Sequence, residues 1–257
     1  MNLDDILGQI KPVDKPMLEQ ARARQDQLTK PPGSLGRLEE IGIRLAALQG
    51  TVKPEIKASA IAVFAGDHGV TEAGVSAYPK AVTEQMVLNF LRGGAAVNAL
   101  AGVAGADLFV VDVGVDADFA GHPKLLKSKV TRGTRNFLNE AAMTHEETLE
   151  AIEVGIDIAN RLVDGGANVL VGGDMGIGNT TPAAALTSVF TGKAASEVTG
   201  RGTGVDDAGL TRKIEVIEAA LEKHQLGPTN PLGALASVGG LEIAALTGFY
   251  LGGAARG

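Results

Sequence analysis

Cysteine and tryptophan are both absent from this chain of 257 residues, and aromatic residues make up only 4% of it. Without cysteine, the chain can form no disulfide scaffold, no cysteine-ligated zinc site and no thiol nucleophile. The sequence holds 4 histidines, none paired at a metal-ligand spacing, so it predicts no metal site.

Basic residues are also in deficit, with 23 against 30 acidic ones and a net charge of −7. This acidic balance argues against nucleic acid and anionic membrane surfaces as partners. No uninterrupted apolar run approaches the roughly 18 residues that a membrane span requires. Residues 1–10 lack the basic start and the cleavage site of a signal peptide. We therefore expect a soluble, cytoplasmic protein.

Strand and helix patterns alternate along the chain. Continuous apolar runs predict buried strands at 59–65, 107–113 and 168–172, with a further short strand around Val130. Helical patterns follow at 35–48 (with Ser34 as the expected N-cap), 80–91, 144–165 (opened by a capping box of Thr144 and Glu147), 182–190, 206–224 and 231–252. The alternation predicts an α/β fold with a doubly wound, mainly parallel, Rossmann-like sheet flanked by helices.

Ligands of such sheets bind at the carboxyl ends of the strands, which here are followed by loops at 66–79, 114–120 and 173–181. The third loop is the most informative, because glycines lead from a strand into Thr180-Thr181-Pro182 at a helix start. Backbone N–H groups at such a terminus favour a phosphate. The alternative is an ordinary glycine-rich turn, and the residues alone leave both open.

Asp67-His68 directly follows the first strand and could perform acid–base work or ligate a metal. We favour the simpler interpretation, in which Asp67 caps the loop and His68 packs beside the pocket. Lys213 could contact a phosphate or coat a helix, and the residues alone favour the second. Asp112 is expected at a strand end.

Two further groups of residues have open interpretations. Asp116 and Asp118 are expected to be solvated. Tyr78, Gln85 and Met86 surround a helix start and supply a ring, an amide and a thioether, which suit a flat, largely apolar heterocycle. Equally, Met86 is a core residue and Tyr78 a loop residue, and composition does not separate these interpretations.

Several segments recur together, in order, in one family: K-P-P-G-S-L-G-R-L-E (30–39), A-G-D-H-G-V (65–70), Y-P-K-A-V-T (78–83), V-V-D-V-G-V-D (110–116), G-D-M-G-I-G-N-T-T-P-A-A-A (173–185), F-T-G (190–192) and the closing L-G-G-A-A-R-G. Through them the chain resembles the nicotinate-nucleotide–dimethylbenzimidazole phosphoribosyltransferases, which make the lower-ligand nucleotide of cobalamin. The resemblance covers essentially the whole chain.

The resemblance implies a reaction between nicotinate mononucleotide and 5,6-dimethylbenzimidazole that gives α-ribazole 5′-phosphate and nicotinate without a cofactor. It implies a cytoplasmic homodimer whose partners are these small molecules, with a helical subdomain at 1–30 and an α/β substrate-binding domain at 31–257. It also implies the site residues. Asp174 is the catalytic candidate, and the substrate-binding residues are Tyr78, Gln85, Met86, Met175, Gly176, Gly178, Asn179, Thr180, Thr181 and Lys213.

The chain departs from the family pattern in two places. Asp174 stands where the family usually carries glutamate, which has one more methylene of reach. The family's general-base glutamate lies beyond the position of Gly257, so the resemblance predicts that a C-terminal segment is missing. We favour a fragment of a full enzyme. The alternatives are a truncated, non-catalytic nucleotide- or benzimidazole-binding paralogue and a chain that needs a C-terminal partner.

Overall fold

The computed structural model describes residues 3–257. Its strands are β1 Ser59–Gly66, β2 Ala106–Gly114, β3 Leu125–Lys127 and β4 Val169–Met175. Its α-helices are α1 Leu3–Leu7, α2 Lys15–Asp26, α3 Arg37–Gln49, α4 Val82–Leu91, α5 Ala96–Ala104, α6 His145–Asp164, α7 Thr180–Thr191, α8 Ala195–Val198, α9 Asp207–His224, α10 Pro231–Val238 and α11 Leu241–Arg256. A 3-10 helix, Gly69–Ala73, follows β1.

The strands form one parallel sheet in the order β3-β2-β1-β4, with β1 and β2 inside it. Because parallel neighbours need crossover connections, helices cover both faces of such a sheet. Here α4 and α5 pack on one face, while α6 and α11 cover the other. The predicted α/β, doubly wound, parallel architecture is therefore confirmed.

The larger core lies under α6 and α11, which pack closely together. The close approach depends on two glycines that face the opposite backbone. A Cβ atom at Gly155 of α6 would overlap the Ala245 carbonyl oxygen, and one at Gly248 of α11 would overlap the Ile152 carbonyl oxygen. The Phe249 ring of α11 then reaches Phe64 of β1, with the ring centroids 5.3 Å apart.

The helices after β4 form an outer layer that holds one side of the loop at the end of this strand. Helices α7, α8 and α9 pack on one another, and α10 packs against both α6 and α7. This arrangement turns the Lys213 side of α9 toward the first turn of α7.

The N-terminal helices belong to two places in the fold. Ile6 of α1 is buried in the larger core, where α1 touches α6 and α11. Helix α2 packs instead on α3, whose Leu38, Ile41 and Leu48 are exposed. The subdomain boundary at residue 30 stays a prediction.

Three boundaries can be compared with the sequence predictions. Ser34 does not cap α3, which begins at Arg37 after Gly36, because the preceding turn is closed by Glu39, whose Oε1 accepts hydrogen bonds from Lys30 and from the Leu35 N–H. The short strand lies at 125–127, before Val130. The Thr144–Glu147 capping box is confirmed.

Two further differences from the predicted boundaries lie at the glycine pairs 172–173 and 239–240. The strand predicted to end at 172 continues to Met175, because residues 172–175 pair with residues 62–65 of β1. Gly172 lies under Leu246 and Tyr250, which leave no room for a side chain. The helix predicted over 231–252 is divided into α10 and α11, because the backbone is extended at Gly240.

One stretch, residues 82–104, is long and apolar enough to pass a membrane-span test by length and composition. It is not one helix in this structure. Helix α4 ends before Arg92, and Gly93, at φ 79°, turns the chain into α5. The stretch is therefore weak evidence for a membrane span.

Replacing Gly155 or Gly248 with alanine is predicted to lower the free energy of unfolding by about 1–3 kcal/mol, because the methyl group forces α6 and α11 apart. Urea denaturation measures the change. Gly102→Ala is the matched control, since a Cβ atom there meets nothing within 4 Å. That variant should gain about 0.5–1 kcal/mol from helix propensity. Equal effects of all three substitutions would contradict the packing account.

Candidate active site

The carboxyl ends of β1 and β4 lie side by side, because the two strands pair in register up to Ala65 and Met175. Asp67 and His68 therefore leave β1 at the same edge at which Gly176 leaves β4. The parallel strand β2 ends beside β1 at the same edge, so all three loops expected to carry chemistry meet there, as the rule for open α/β sheets predicts.

The loop from β4 into α7 presents unpaired backbone donors. The Ile177 N–H is used, since it donates to Thr83 Oγ1 at 3.1 Å. Among the hydrogen bonds of residues 3–257, none uses the N–H of Gly178 or of Thr180. Asn179 is the N-cap residue and its side chain makes no capping bond. Free N–H groups at a helix N-terminus attract an anion.

Lys213 brings a buried positive charge to this helix terminus. Its side chain is 1% exposed, and Nζ donates to Thr180 Oγ1 at 2.8 Å and to the Gly200 carbonyl at 3.1 Å. Burial alone lowers the pKa of Lys213, and no ion pair of this residue exists within residues 3–257. The expectation that Lys213 coats a helix is wrong, since the packing of α9 on α7 encloses it.

Asp174 lies at the end of β4 with an exposed side chain. Its Oδ2 accepts a hydrogen bond of 2.6 Å from Asn179 Nδ2, which ties the strand end to the start of α7. A carboxylate beside an anion site repels a phosphate but can accept hydrogen bonds from hydroxyl groups. Its position is therefore better suited to a sugar than to the phosphate.

The residues expected to hold a heterocycle are distributed around α4. Met86 and Met175 pack against the same apolar cluster, which includes Val63 and Val87. Gln85 is exposed on α4, and Tyr78, in the loop before this helix, is 52% exposed. The structure thus brings the two methionines together and leaves the ring and the amide accessible.

Two buried polar side chains, His68 and Glu242, lie beside this loop, and the sequence indicated only His68. His68 Nε2 and Glu242 Oε1 are 2.7 Å apart, and both side chains are fully buried. His68 packs beside the loop, as expected. Glu242, a lone acid in an apolar helix after Gly239-Gly240, was missed. That isolated charge is the signal that would have found it.

Asp67 caps a loop, as expected, but the loop is the one after β2, where its Oδ2 accepts a hydrogen bond of 2.8 Å from the Asp116 N–H. Burial raises the pKa of the Asp67 carboxyl. Asp112 is buried at the end of β2 and pairs with Lys129 at 2.8 Å.

Asp116 and Asp118, the two acids expected to be solvated, differ in their exposure to solvent. Asp118 is largely exposed, which confirms the prediction, although it pairs with Arg132. Asp116 is half exposed and is held by Lys80 at 2.8 Å. The hydrogen bond from Lys80 lowers the pKa of the Asp116 carboxyl.

Comparisons with known proteins match this arrangement to one family. A family model described as DBI_PRT: Phosphoribosyltransferase matches residues 10–257. The chain belongs to this phosphoribosyltransferase family.

Named relatives in the family are close in sequence. The nicotinate-nucleotide–dimethylbenzimidazole phosphoribosyltransferase of Chloroflexus aurantiacus is 54% identical over 250 residues, which are 97% of this chain and 71% of the relative. The protein of the same name from Geotalea uraniireducens is 54% identical over 254 residues, 99% of this chain and 72% of the relative.

A solved structure shares the fold. The crystal structure of CobT from Thermus thermophilus superposes with a TM-score of 0.88 at 52% identity, and the match covers 91% of this chain and 70% of that one.

Lys213→Met is predicted to weaken binding of inorganic phosphate by about 10- to 100-fold, because hydrogen bonds to a charged group contribute about 1.5–3 kcal/mol. The same substitution should leave the unliganded protein equally or more stable, since a buried ammonium without a counter-ion is costly. Isothermal titration calorimetry and urea denaturation measure the two effects.

Lys223→Met, at an exposed position of the same helix, is the matched control and should change neither quantity. Unaltered phosphate affinity in Lys213→Met would show that the anion binds elsewhere.

Proposed function

We propose that this chain transfers the phosphoribosyl group of nicotinate mononucleotide to 5,6-dimethylbenzimidazole, giving α-ribazole 5′-phosphate and nicotinate. The proposal takes the reaction from the name that its relatives carry, with which it shares more than half of its residues. The product is a precursor of the lower ligand of cobalamin, so the proposed role is in cobalamin biosynthesis.

The observation that carries the proposal is the buried, unpaired ammonium of Lys213 at the N-terminus of α7. A cation taken out of water without a carboxylate partner is costly, and an anionic ligand removes that cost. We assign the nucleotide's phosphate to this place, where the N–H groups of Gly178 and Thr180, the Thr181 side chain and the Gly176–Asn179 backbone surround it.

The proposed reaction exchanges one carbon–nitrogen bond for another at the anomeric carbon. An imidazole nitrogen of dimethylbenzimidazole attacks from the face opposite the nicotinate and inverts the configuration. The electron pair of the breaking bond returns to the pyridinium ring nitrogen, which becomes neutral, so the leaving group needs no proton. The second imidazole nitrogen loses its proton to a base.

Asp174 is the catalytic candidate for the part of this chemistry that needs a carboxylate. Its exposed side chain and its bond to Asn179 support a place beside the ribose hydroxyls. From there it accepts a hydroxyl hydrogen bond or the proton that the attacking base releases. Holding the phosphate and the ribose in a fixed pose supplies the remainder, since orientation alone accounts for much of such a rate increase.

We assign the heterocycle to the part of the site next to α4, at the carboxyl ends of the strands. Met86 and Met175 give a polarizable apolar wall, and we place the Tyr78 ring and the Gln85 amide around the same base. Thr83 links this wall to the anion-binding loop through its bond from Ile177, so the two subsites share one support.

We further propose that the protein is a cytoplasmic homodimer whose partners are these small molecules. The net charge of −7 supports the exclusion of nucleic acid and anionic membranes. The exposed leucine and isoleucine side chains on α3 support a further contact surface.

The purified 257-residue chain is predicted to release nicotinate only when both nicotinate mononucleotide and dimethylbenzimidazole are present. Chromatography measures nicotinate and the phosphorylated riboside, which should form in equal amounts. Lys213→Met should lose most of this release, and Lys223→Met should retain it.

Release without dimethylbenzimidazole would make the protein a hydrolase of the nucleotide and contradict the transfer. Nucleotide binding without any release would contradict catalysis and favour a binding function for this chain.

A further inference from the structure

The buried pair of His68 and Glu242 joins three segments that are distant in sequence. His68 follows β1, Glu242 lies in the first turn of α11, and Gly176 of the anion-binding loop packs against the imidazole. The pair connects residues that are 174 positions apart. Neither side chain is exposed to solvent.

Three glycines lie against the His68–Glu242 pair at positions where a Cβ atom would come too close to it. A Cβ atom at Gly176 would lie 3.0 Å from His68 Nε2 and 2.6 Å from the Gly66 carbonyl oxygen. A Cβ atom at Gly240 would lie 2.5 Å from His68 Cε1, and one at Gly66 would lie 3.1 Å from Glu242 Oε2. The backbones at Gly66, Gly176 and Gly240 therefore lie directly against the imidazole and the carboxylate.

Stability alone does not account for this pair. Within residues 3–257, neither His68 Nδ1 nor Glu242 Oε2 has a hydrogen-bond partner. Buried ion pairs with unsatisfied atoms are commonly no more stable than apolar residues of the same volume. The arrangement therefore suits a role in placing neighbouring groups.

The charge of the imidazole depends on its neighbours. Burial acts to lower the pKa of His68, but the Glu242 carboxylate, with Asp67 and Asp174, raises it above the ordinary value. These three acids lie on α11, in the loop after β1 and on β4. The imidazolium is present below the folded pKa and is lost as the pH rises through it.

We propose that His68 and Glu242 are positioning residues for phosphoribosyl transfer, which hold Gly176 and the anion-binding loop in place for the nucleotide's phosphate. The inference rests on the proposed function. Protonated His68 keeps its bond to Glu242 and adds positive potential behind the loop, so nucleotide affinity falls when the imidazole loses its proton.

Glu242→Gln tests the inference, because it keeps the shape and removes the charge. We expect the part of the alkaline fall in affinity for nicotinate mononucleotide that comes from His68 to move down by about one to three pH units, since an adjacent opposite charge shifts a pKa by that much. The part that comes from Lys213, whose pKa is lowered by burial, should not move. Calorimetric titrations between pH 6 and pH 10 give the profile. His68→Gln should weaken binding at neutral pH and remove this part of the pH dependence.

The controls separate charge from shape. Glu218→Gln, at an exposed position on α9, should leave the profile unchanged. Gly176→Ala displaces the loop without changing charge, because its Cβ atom would lie 2.6 Å from the Gly66 carbonyl oxygen, so it should weaken binding at every pH with the inflection unmoved. Circular dichroism melting curves identify the variants that are folded under the titration conditions.

Two failures are distinguishable. Wild-type protein that does not bind the nucleotide would overturn the proposed function. Wild-type binding with an identical pH profile in folded Glu242→Gln would overturn the positioning role and leave the proposed function intact.

Discussion

The in-register parallel pairing of β1 with β4 is the constraint on which the site depends. Their last paired residues are Ala65 and Met175, so the loops after both strands leave the sheet at one point. A register shift of one residue would exchange the faces on which Asp174 and Met175 lie. As built, Met175 faces the apolar cluster under α4, and Asp174 shares a register position with Phe64, whose ring packs toward α11.

The lysine side chains around this edge differ in whether they pair with a carboxylate. Lys213 is buried with a hydroxyl and a carbonyl as its partners, whereas most other charged groups near the edge are paired, as Lys80 is with Asp116 and Lys129 with Asp112. One cation thus remains unneutralised where a helix presents free N–H groups. This difference supports our assignment of the phosphate to this place, because a structural ion-pair network would supply its own carboxylate.

The parts of the fold that the sequence predicted are those with local signals. Apolar runs located the strands β1, β2 and β4, and the Thr144–Glu147 pattern located the start of α6. The glycine-rich passage into Thr180-Thr181-Pro182 located the loop between β4 and α7, to which we assign the phosphate. Each of these signals lies within a few residues, so no knowledge of the tertiary structure was needed.

The features that were missed depend on distant contacts. Gly172 resembles a turn residue, yet it continues β4 because it pairs with Ala62 of β1. The extended backbone at Gly240 lies so close to His68 that a side chain there would not fit, and Lys213 is buried by the packing of α9 on α7. No spacing in the sequence pairs Glu242 with His68, so only the fold reveals that pair.

We assign the nucleotide's phosphate to Lys213 and the N-terminus of α7, and a crystal structure with nicotinate mononucleotide bound is the decisive experiment. We expect phosphate oxygens within hydrogen-bond distance of Lys213 Nζ and of the Gly178 and Thr180 N–H groups. A phosphate bound instead by exposed cations such as Lys80 and Arg132, with Lys213 still bonded only to Thr180 and Gly200, would contradict it.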